Sequence, residues 1–230
     1  MRRAYSIRMS ARKYEDACGI ARSLDVIGER WALLVVRELV FGPKRFTDLR
    51  TGLRGVSQNV LSQRLRDLET VGVIRRTVLG PPASTQAYEL TELGSALEPM
   101  LVAMSRWGAL TPVATGADMS NDAFALSLKA LHAPGGDGDF RGRVRLRLVR
   151  DAFDVRIDGE RIDVARAVGA DPELVIESSE SVLRAVMFGR RTIDDAIEAG
   201  ELTITGDRTR AMAFLDRFAL PVLPEGASPG

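Results

Sequence analysis

One cysteine, Cys18, and one histidine, His132, are all that the 230 residues offer towards thiol or metal chemistry. A lone thiol makes no intramolecular disulfide and no thiolate cluster, and one imidazole leaves nothing to complete a zinc site. Neither structural metal nor a secreted, disulfide-stapled fold is expected. Long apolar runs are missing too. The best, residues 31–39, is broken by Arg37 and Glu38 and falls short of the roughly 20 residues that cross a bilayer. The basic cluster Arg2, Arg3, Arg8, Arg12 and Lys13 precedes no apolar segment of the signal-peptide kind. The expectation is a cytoplasmic protein with no membrane partner. Catalytic sets are also wanting: there is no nucleophile elbow, phosphate loop or metal box, and the Asp194–Asp195 pair lies on a charged helix face without a histidine. Neither enzyme activity nor a cofactor is expected.

What is present is a chain 45% hydrophobic and 27% charged, enough for one large domain or two small ones. The net charge of +1 hides an asymmetry. Residues 1–113 hold 17 Arg and Lys against 11 Asp and Glu; the remainder holds 15 against 20. A basic half joined to an acidic half points to one polyanion-binding module and one with another task. The excess of 29 Arg over 3 Lys carries no functional weight, because a GC-rich genome produces the same bias. Residues 111–118 are small, polar and aperiodic where the charge changes sign, so the division is 1–110, a linker at 111–118, and 119–230. A second loop, residues 133–139, follows a short helix.

Apolar spacing in the first half predicts helices over 18–27, 31–39, 46–53 and, after the N-cap Ser57, to about residue 71 with Gly72 closing it. Strand-like runs at 73–79 and 86–90 form a hairpin, and Thr91 caps a long helix to residue 107. That order is the order of a winged helix-turn-helix with an added terminal helix. Four stretches, residues 18–31, 37–46, 61–69 and 88–94, then make the likeness specific. Residues 15–108 resemble the HxlR family of bacterial transcriptional regulators.

On the fourth helix Leu61, Leu65 and Leu68 share one side, while Asn59, Gln63 and Arg66 point nearly opposite, with Ser62 at the margin. Asn and Gln match adenine N6 and N7, and Arg matches guanine O6 and N7. For an isolated helix this would be a solvated polar face; within this motif order it reads as a surface for double-stranded DNA. Ser57 heads that helix. Lys44 and Arg45 precede the third helix and Arg75 and Arg76 begin the hairpin, positions suited to phosphates. The wing tip has no basic residue between 79 and 87, which puts minor-groove insertion in doubt. The stripe Leu97, Leu101, Met104 and Trp107 reads either as core or as a dimer seam, and the resemblance implies a homodimer. Cys18 stands where HxlR-type regulators commonly carry a cysteine, which some members use to sense oxidants or electrophiles; an inert thiol is the alternative. Arg12, Lys13 and Arg22 are the cations that would activate it.

In the second half, residues 143–149 alternate Val144, Leu146 and Leu148 with Arg143, Arg145 and Arg147, and residues 153–158 alternate likewise. The pattern predicts an antiparallel hairpin with one apolar face and a charge ladder on the other. Strands near 161–165, 174–177 and 201–207 and helices near 181–188, 192–199 and 208–218 complete it. The run 172–218 resembles the sterol-carrier-protein fold. The whole is therefore read as α+β: a winged helix-turn-helix domain followed by an α+β sterol-carrier-like domain with an antiparallel sheet. That resemblance implies an apolar tunnel near Leu183, Val186, Met187, Phe188, Ile193, Ile197, Phe214, Leu215 and Phe218, each of which also suits plain core. The functional expectation is a homodimeric DNA-binding regulator whose operator affinity responds to an apolar or amphipathic small molecule. The rivals are thiol sensing through Cys18 and a lipid carrier whose N-terminal module dimerises.

Overall fold

Ser57 starts the helix that matters most. Its hydroxyl accepts from the amide of Val60, satisfying one orphan donor at the start of α4 (Gln58–Thr70). Gly72 follows with φ of +76°, a left-handed conformation that ends the helix without a Cβ penalty. Around α4, in a computed structural model describing residues 14–80, 84–111, 118–133 and 140–222, stand α1 (Gly19–Ile27), α2 (Ala32–Leu39) and α3 (Phe46–Gly52). Then come β1 (Ile74–Leu79) and β2 (Thr85–Leu90), an antiparallel hairpin in which Arg75 faces Glu89 and Arg76 faces Tyr88. Leu61, Leu65 and Leu68 of α4 are buried with Val35, Val36 and Leu39 of α2, Leu49 of α3 and Ile74. The apolar face predicted for the fourth helix is thus the inward one. Lys44 joins the hairpin as a short bridge: its amide donates to the Tyr88 carbonyl at 3.0 Å, and the Tyr88 amide returns the bond at 2.8 Å.

The long helix expected up to residue 107 is two helices, α5 (Glu92–Ser95) and α6 (Glu98–Gly108). Pro99 explains the interruption, since it has no amide hydrogen to give and fits only where none is needed, in the first turn of a new helix. Contacts within the chain define two units, one ending at Leu101 and one beginning at Val102, so the division falls inside α6. Of the linker at 111–118, residues 112–117 lie outside the described residues, as do 134–139 of the second loop, 81–83 of the wing tip and the N-terminal basic cluster.

The second unit runs α7 (Asn121–Leu131), β3 (Gly142–Leu148), β4 (Asp151–Asp158), β5 (Arg161–Arg166), β6 (Leu174–Ser178), α8 (Glu180–Met187), α9 (Ile193–Glu198), β7 (Leu202–Thr205) and α10 (Arg208–Leu215). The strands form one sheet in the order β5-β4-β3-β6-β7. The sheet is not purely antiparallel, contrary to expectation. β6 pairs with β3 in parallel, Leu174 opposite Val144 and Ile176 opposite Leu146, because the chain leaves the β5 edge and passes to the far side of β3. One face is apolar, with Val144, Leu146, Leu148, Phe153, Val155 and Ile157 all buried. Phe124 of α7, Leu183 of α8 and Phe214 of α10 are fully buried as well.

The arginine row on the opposite face has a structural use. Arg145, 5% exposed, donates to both Asp154 oxygens at 2.8 and 3.0 Å, to Asp171 at 2.8 Å, and to the carbonyls of Val168 (2.9 Å) and Gly169 (3.1 Å). Arg143 adds a 2.7 Å bond to Asp154, and Arg147 bonds Asp171 and Glu177. The row therefore fastens the β5–β6 crossover to the sheet. Burial raises the Asp154 carboxyl, but hydrogen bonds and charge from Arg145 and Arg143 outweigh it and hold its pKa below the ordinary value. No helix among the described residues is long and apolar enough to cross a membrane.

Candidate nucleic-acid interface

The outward face of α4 presents Asn59, Gln63 and Arg66, all exposed, with Ser62 half-buried beside them and Ser57 exposed at the head of the helix. Residues three and four apart on a helix are neighbours, and two of these side chains are linked. The Arg66 guanidinium donates to the Gln63 amide oxygen at 2.7 Å, and the Gln63 amide nitrogen donates to Asp67 at 2.7 Å. Such a chain restricts rotamers before any partner arrives. Arg64, next to Gln63 and so roughly 100° round the helix, pairs with the same Asp67 (3.1 Å) and with Glu29 (3.6 Å).

The flanking cations fare differently. Arg45 is the N-cap of α3, its amide donating to Asp48 at 3.2 Å, and its guanidinium meets no carboxylate among the described residues. Arg75 and Arg76 are exposed but paired, with Glu89 at 2.7 Å and Glu69 at 3.2 Å; Arg76 also lies over the Tyr88 ring at 6.0 Å. Lys44 turns inward. Its ammonium sits 2.8 Å from Glu38, a wholly buried carboxylate that Arg37 also contacts at 2.8 Å. That placement sets the Lys44 charge against a buried carboxylate, so a phosphate would have to compete with Glu38 for it.

Glu38 is the residue that spacing arguments pass over. The signal was available: a carboxylate on the buried phase of an apolar helix, followed six residues later by a lysine. Gly52 completes the pocket, since a Cβ there would come within 2.2 Å of the Glu38 carboxylate.

Cys18 is exposed at the start of α1, without a capping hydrogen bond of ordinary geometry. Its pKa is lowered by the amides of Ile20 and Ala21, which favour the thiolate. Of the cations expected to act on it, Arg12 and Lys13 lie outside the described residues and Arg22 is exposed. The apolar stripe divides: Leu101 is buried and Leu97 half-buried, whereas Met104 and Trp107 are 48% and 70% exposed. In the second unit Leu183, Phe214, Leu215 and Phe218 are buried, while Val186, Met187, Phe188, Ile193 and Ile197 are half-buried. Phe214 packs edge-on between Phe140 (5.5 Å) and Phe218 (5.3 Å). No cluster of potential metal ligands exists among the described residues.

A model of the HxlR-like helix-turn-helix family matches residues 26–112. The uncharacterized HTH-type transcriptional regulator YvaP of Bacillus subtilis is 37% identical over 86 residues, covering 37% of this chain and 80% of that protein. The chain belongs to the HxlR-like helix-turn-helix family. A second relative, the uncharacterized HTH-type transcriptional regulator YdeP of the same organism, is 37% identical over 93 residues, covering 40% of this chain and 73% of that protein. Among solved structures, the HTH-type transcriptional regulator YtcD aligns at 36% identity with a TM-score of 0.37, over 40% of this chain and 94% of that one. By its family, the first unit is the DNA-binding winged-helix module of a transcriptional regulator. The family model stops at residue 112, and most of the second unit lies beyond it.

Proposed function

We propose that this HxlR-like regulator acts as a homodimer, reads its operator with Asn59, Gln63 and Arg66 of α4, and changes its affinity when the second unit takes up an apolar or amphipathic small molecule. The observation that carries the DNA reading is the exposed, hydrogen-bonded Arg66–Gln63–Asp67 chain on the face of α4 opposite its leucines. Arg45 and the paired Arg75 and Arg76 would then sit on phosphates and set register. Exposed apolar residues support the dimer: Met104 and Trp107 on α6, and Ile20 and Leu24, one turn apart on α1. Two copies give two half-sites, which one small module needs for specific affinity. The sterol-carrier likeness implies a sheet with helices enclosing an apolar tunnel, and the second unit's sheet with one buried apolar face supports that reading. Selection of bound duplexes from a random pool, with and without a cell lipid extract, tests both the DNA and the small-molecule parts. Failure to enrich any sequence at low salt would favour the lipid-carrier alternative.

A second reading rests on Cys18, whose exposure and lowered pKa suit a thiol sensor. With no second cysteine in the chain, its oxidised form would be an intermolecular disulfide or a mixed disulfide with a small thiol. Mass spectrometry after mild oxidation, paired with Cys18→Ser in the operator assay, separates this from small-molecule control.

A further inference from the structure

A groove of about 560 Å³ opens in the second unit where residues 103–110, the end of α7 and the segment after α10 come together. Its walls are apolar, formed by Trp107, Leu110, Leu131, Leu220 and Val222. Trp107 is 70% and Val222 91% exposed, so much of this apolar surface is uncovered. Two polar side chains interrupt the lining. His132 is only 5% exposed, yet its Nε2 has no hydrogen-bond partner among the described residues; its ring meets Phe218 edge-on. Buried polar atoms are almost always satisfied, so such an atom in a groove wall marks a missing partner. The second is Arg106, which has no ion pair among the described residues. No acidic side chain among the described residues lines the groove. Burial and the nearby Arg217 charge lower the pKa of His132, which keeps the imidazole neutral at pH 7 while the guanidinium groups set a positive potential.

We propose that this groove binds an amphipathic monocarboxylic acid, with the carboxylate on Arg106, the apolar body against Trp107, Leu131 and Leu220, and a polar contact at His132 Nε2. The volume suits a ten-carbon chain and falls in the range of small-molecule sites. This deepens the reading of the second unit as an effector module, on which it rests, and places the effector away from the residues around α8 and α10 that the sterol-carrier likeness suggested. It also gives the effector a lever. Trp107 and Arg106 lie on α6 beside Met104, so a ligand there bears on the helix assigned to the dimer seam.

The test is titration of the full chain with decanoate, decan-1-ol and decyltrimethylammonium, followed by calorimetry and tryptophan fluorescence. It contains no DNA, so its outcome is independent of the regulator reading. Decanoate should bind saturably, one per chain, with the cation excluded. Arg106→Gln should weaken decanoate about ten-fold or more and leave decan-1-ol within about two-fold. His132→Phe keeps a ring against Phe218 but offers no nitrogen, and should also weaken decanoate. Ala219→Trp, at an exposed position in the groove wall, should abolish binding while leaving the melting temperature unchanged, whereas Val186→Trp should leave binding intact. The proposal is overturned if decanoate fails to bind, if Ala219→Trp binds it normally, or if the three probes bind alike. It is also overturned if decanoate binds only to a chain ending at Val222, which would make residues 223–230 the occupant. A shift to monomer on Ala219→Trp in sedimentation without ligand would make the occupant a second copy, and would overturn it as well.

Discussion

At the scale of single residues, the side chains assigned to base reading are coupled, and that shapes what their removal should do. Gln63→Ala and Arg66→Ala should each lower affinity for the selected operator by roughly 1–3 kcal/mol while sparing non-specific binding. Because Arg66 bonds Gln63 directly, the double variant should cost less than the sum of the singles, a deficit that a double-mutant cycle by fluorescence anisotropy measures. Equal losses on specific and random duplexes would make the helix a phosphate grip only. Glu38 calls for a different experiment. Glu38→Gln removes a buried charge facing Lys44 and Arg37 and should destabilise the first unit by about 3 kcal/mol in urea unfolding. Lys44→Ala should likewise appear first as lost stability, with a salt dependence of DNA binding close to that of the unaltered chain. A slope reduced by about one counterion would return Lys44 to the phosphates.

At the scale of elements, what was legible followed from local rules, and what was missed depended on distant parts of the chain. Helix α4, its Ser57 cap, its Gly72 end and its leucine face are local facts, and the structure has each where periodicity put it. The break between α5 and α6 was local too, but the regular recurrence of Leu97, Leu101 and Met104 masked Pro99. The parallel pairing of β6 with β3 was beyond reach, because alternation tells which face a residue takes and not which strand it meets. For the same reason the arginine row read as a solvated ladder, whereas Arg145 is buried beneath the segment it holds. Substituting Arg145 by Met should therefore lower the melting temperature several times more than the same change at half-exposed Arg147, and should speed amide exchange in residues 167–173. Equal small effects at both positions would mean that the crossover is held by its own backbone.

At the scale of the whole molecule, two properties belong to no one element. The first is assembly: Met104→Glu, at an exposed position, should weaken a dimer by on the order of 2 kcal/mol in sedimentation equilibrium without lowering stability, whereas Leu101→Ala in the core should cost about 2–5 kcal/mol of stability. A Met104→Glu chain that still dimerises normally would remove α6 from the seam. The second is the response to mild acid, which the composition makes unusually clean. With one histidine in 230 residues, His132 is the only side chain whose ordinary pKa lies between those of the carboxylates and the thiol. Burial and the charge of Arg217 push its folded pKa below the ordinary 6.5, so the unfolded chain binds a proton that the folded one refuses. Stability therefore rises with pH between the folded and unfolded values, and is lost as pH falls below about 6.5. Asp154, held down by Arg145 and Arg143, contributes in the same direction but only where carboxylates titrate, near and below its ordinary 3.8. Thermal unfolding followed from pH 7.5 to pH 3 should show a decline between pH 7.5 and pH 5 that His132→Phe removes, leaving the steeper loss below pH 4 in place. A decline that survives in the variant would trace the pH dependence to groups other than His132.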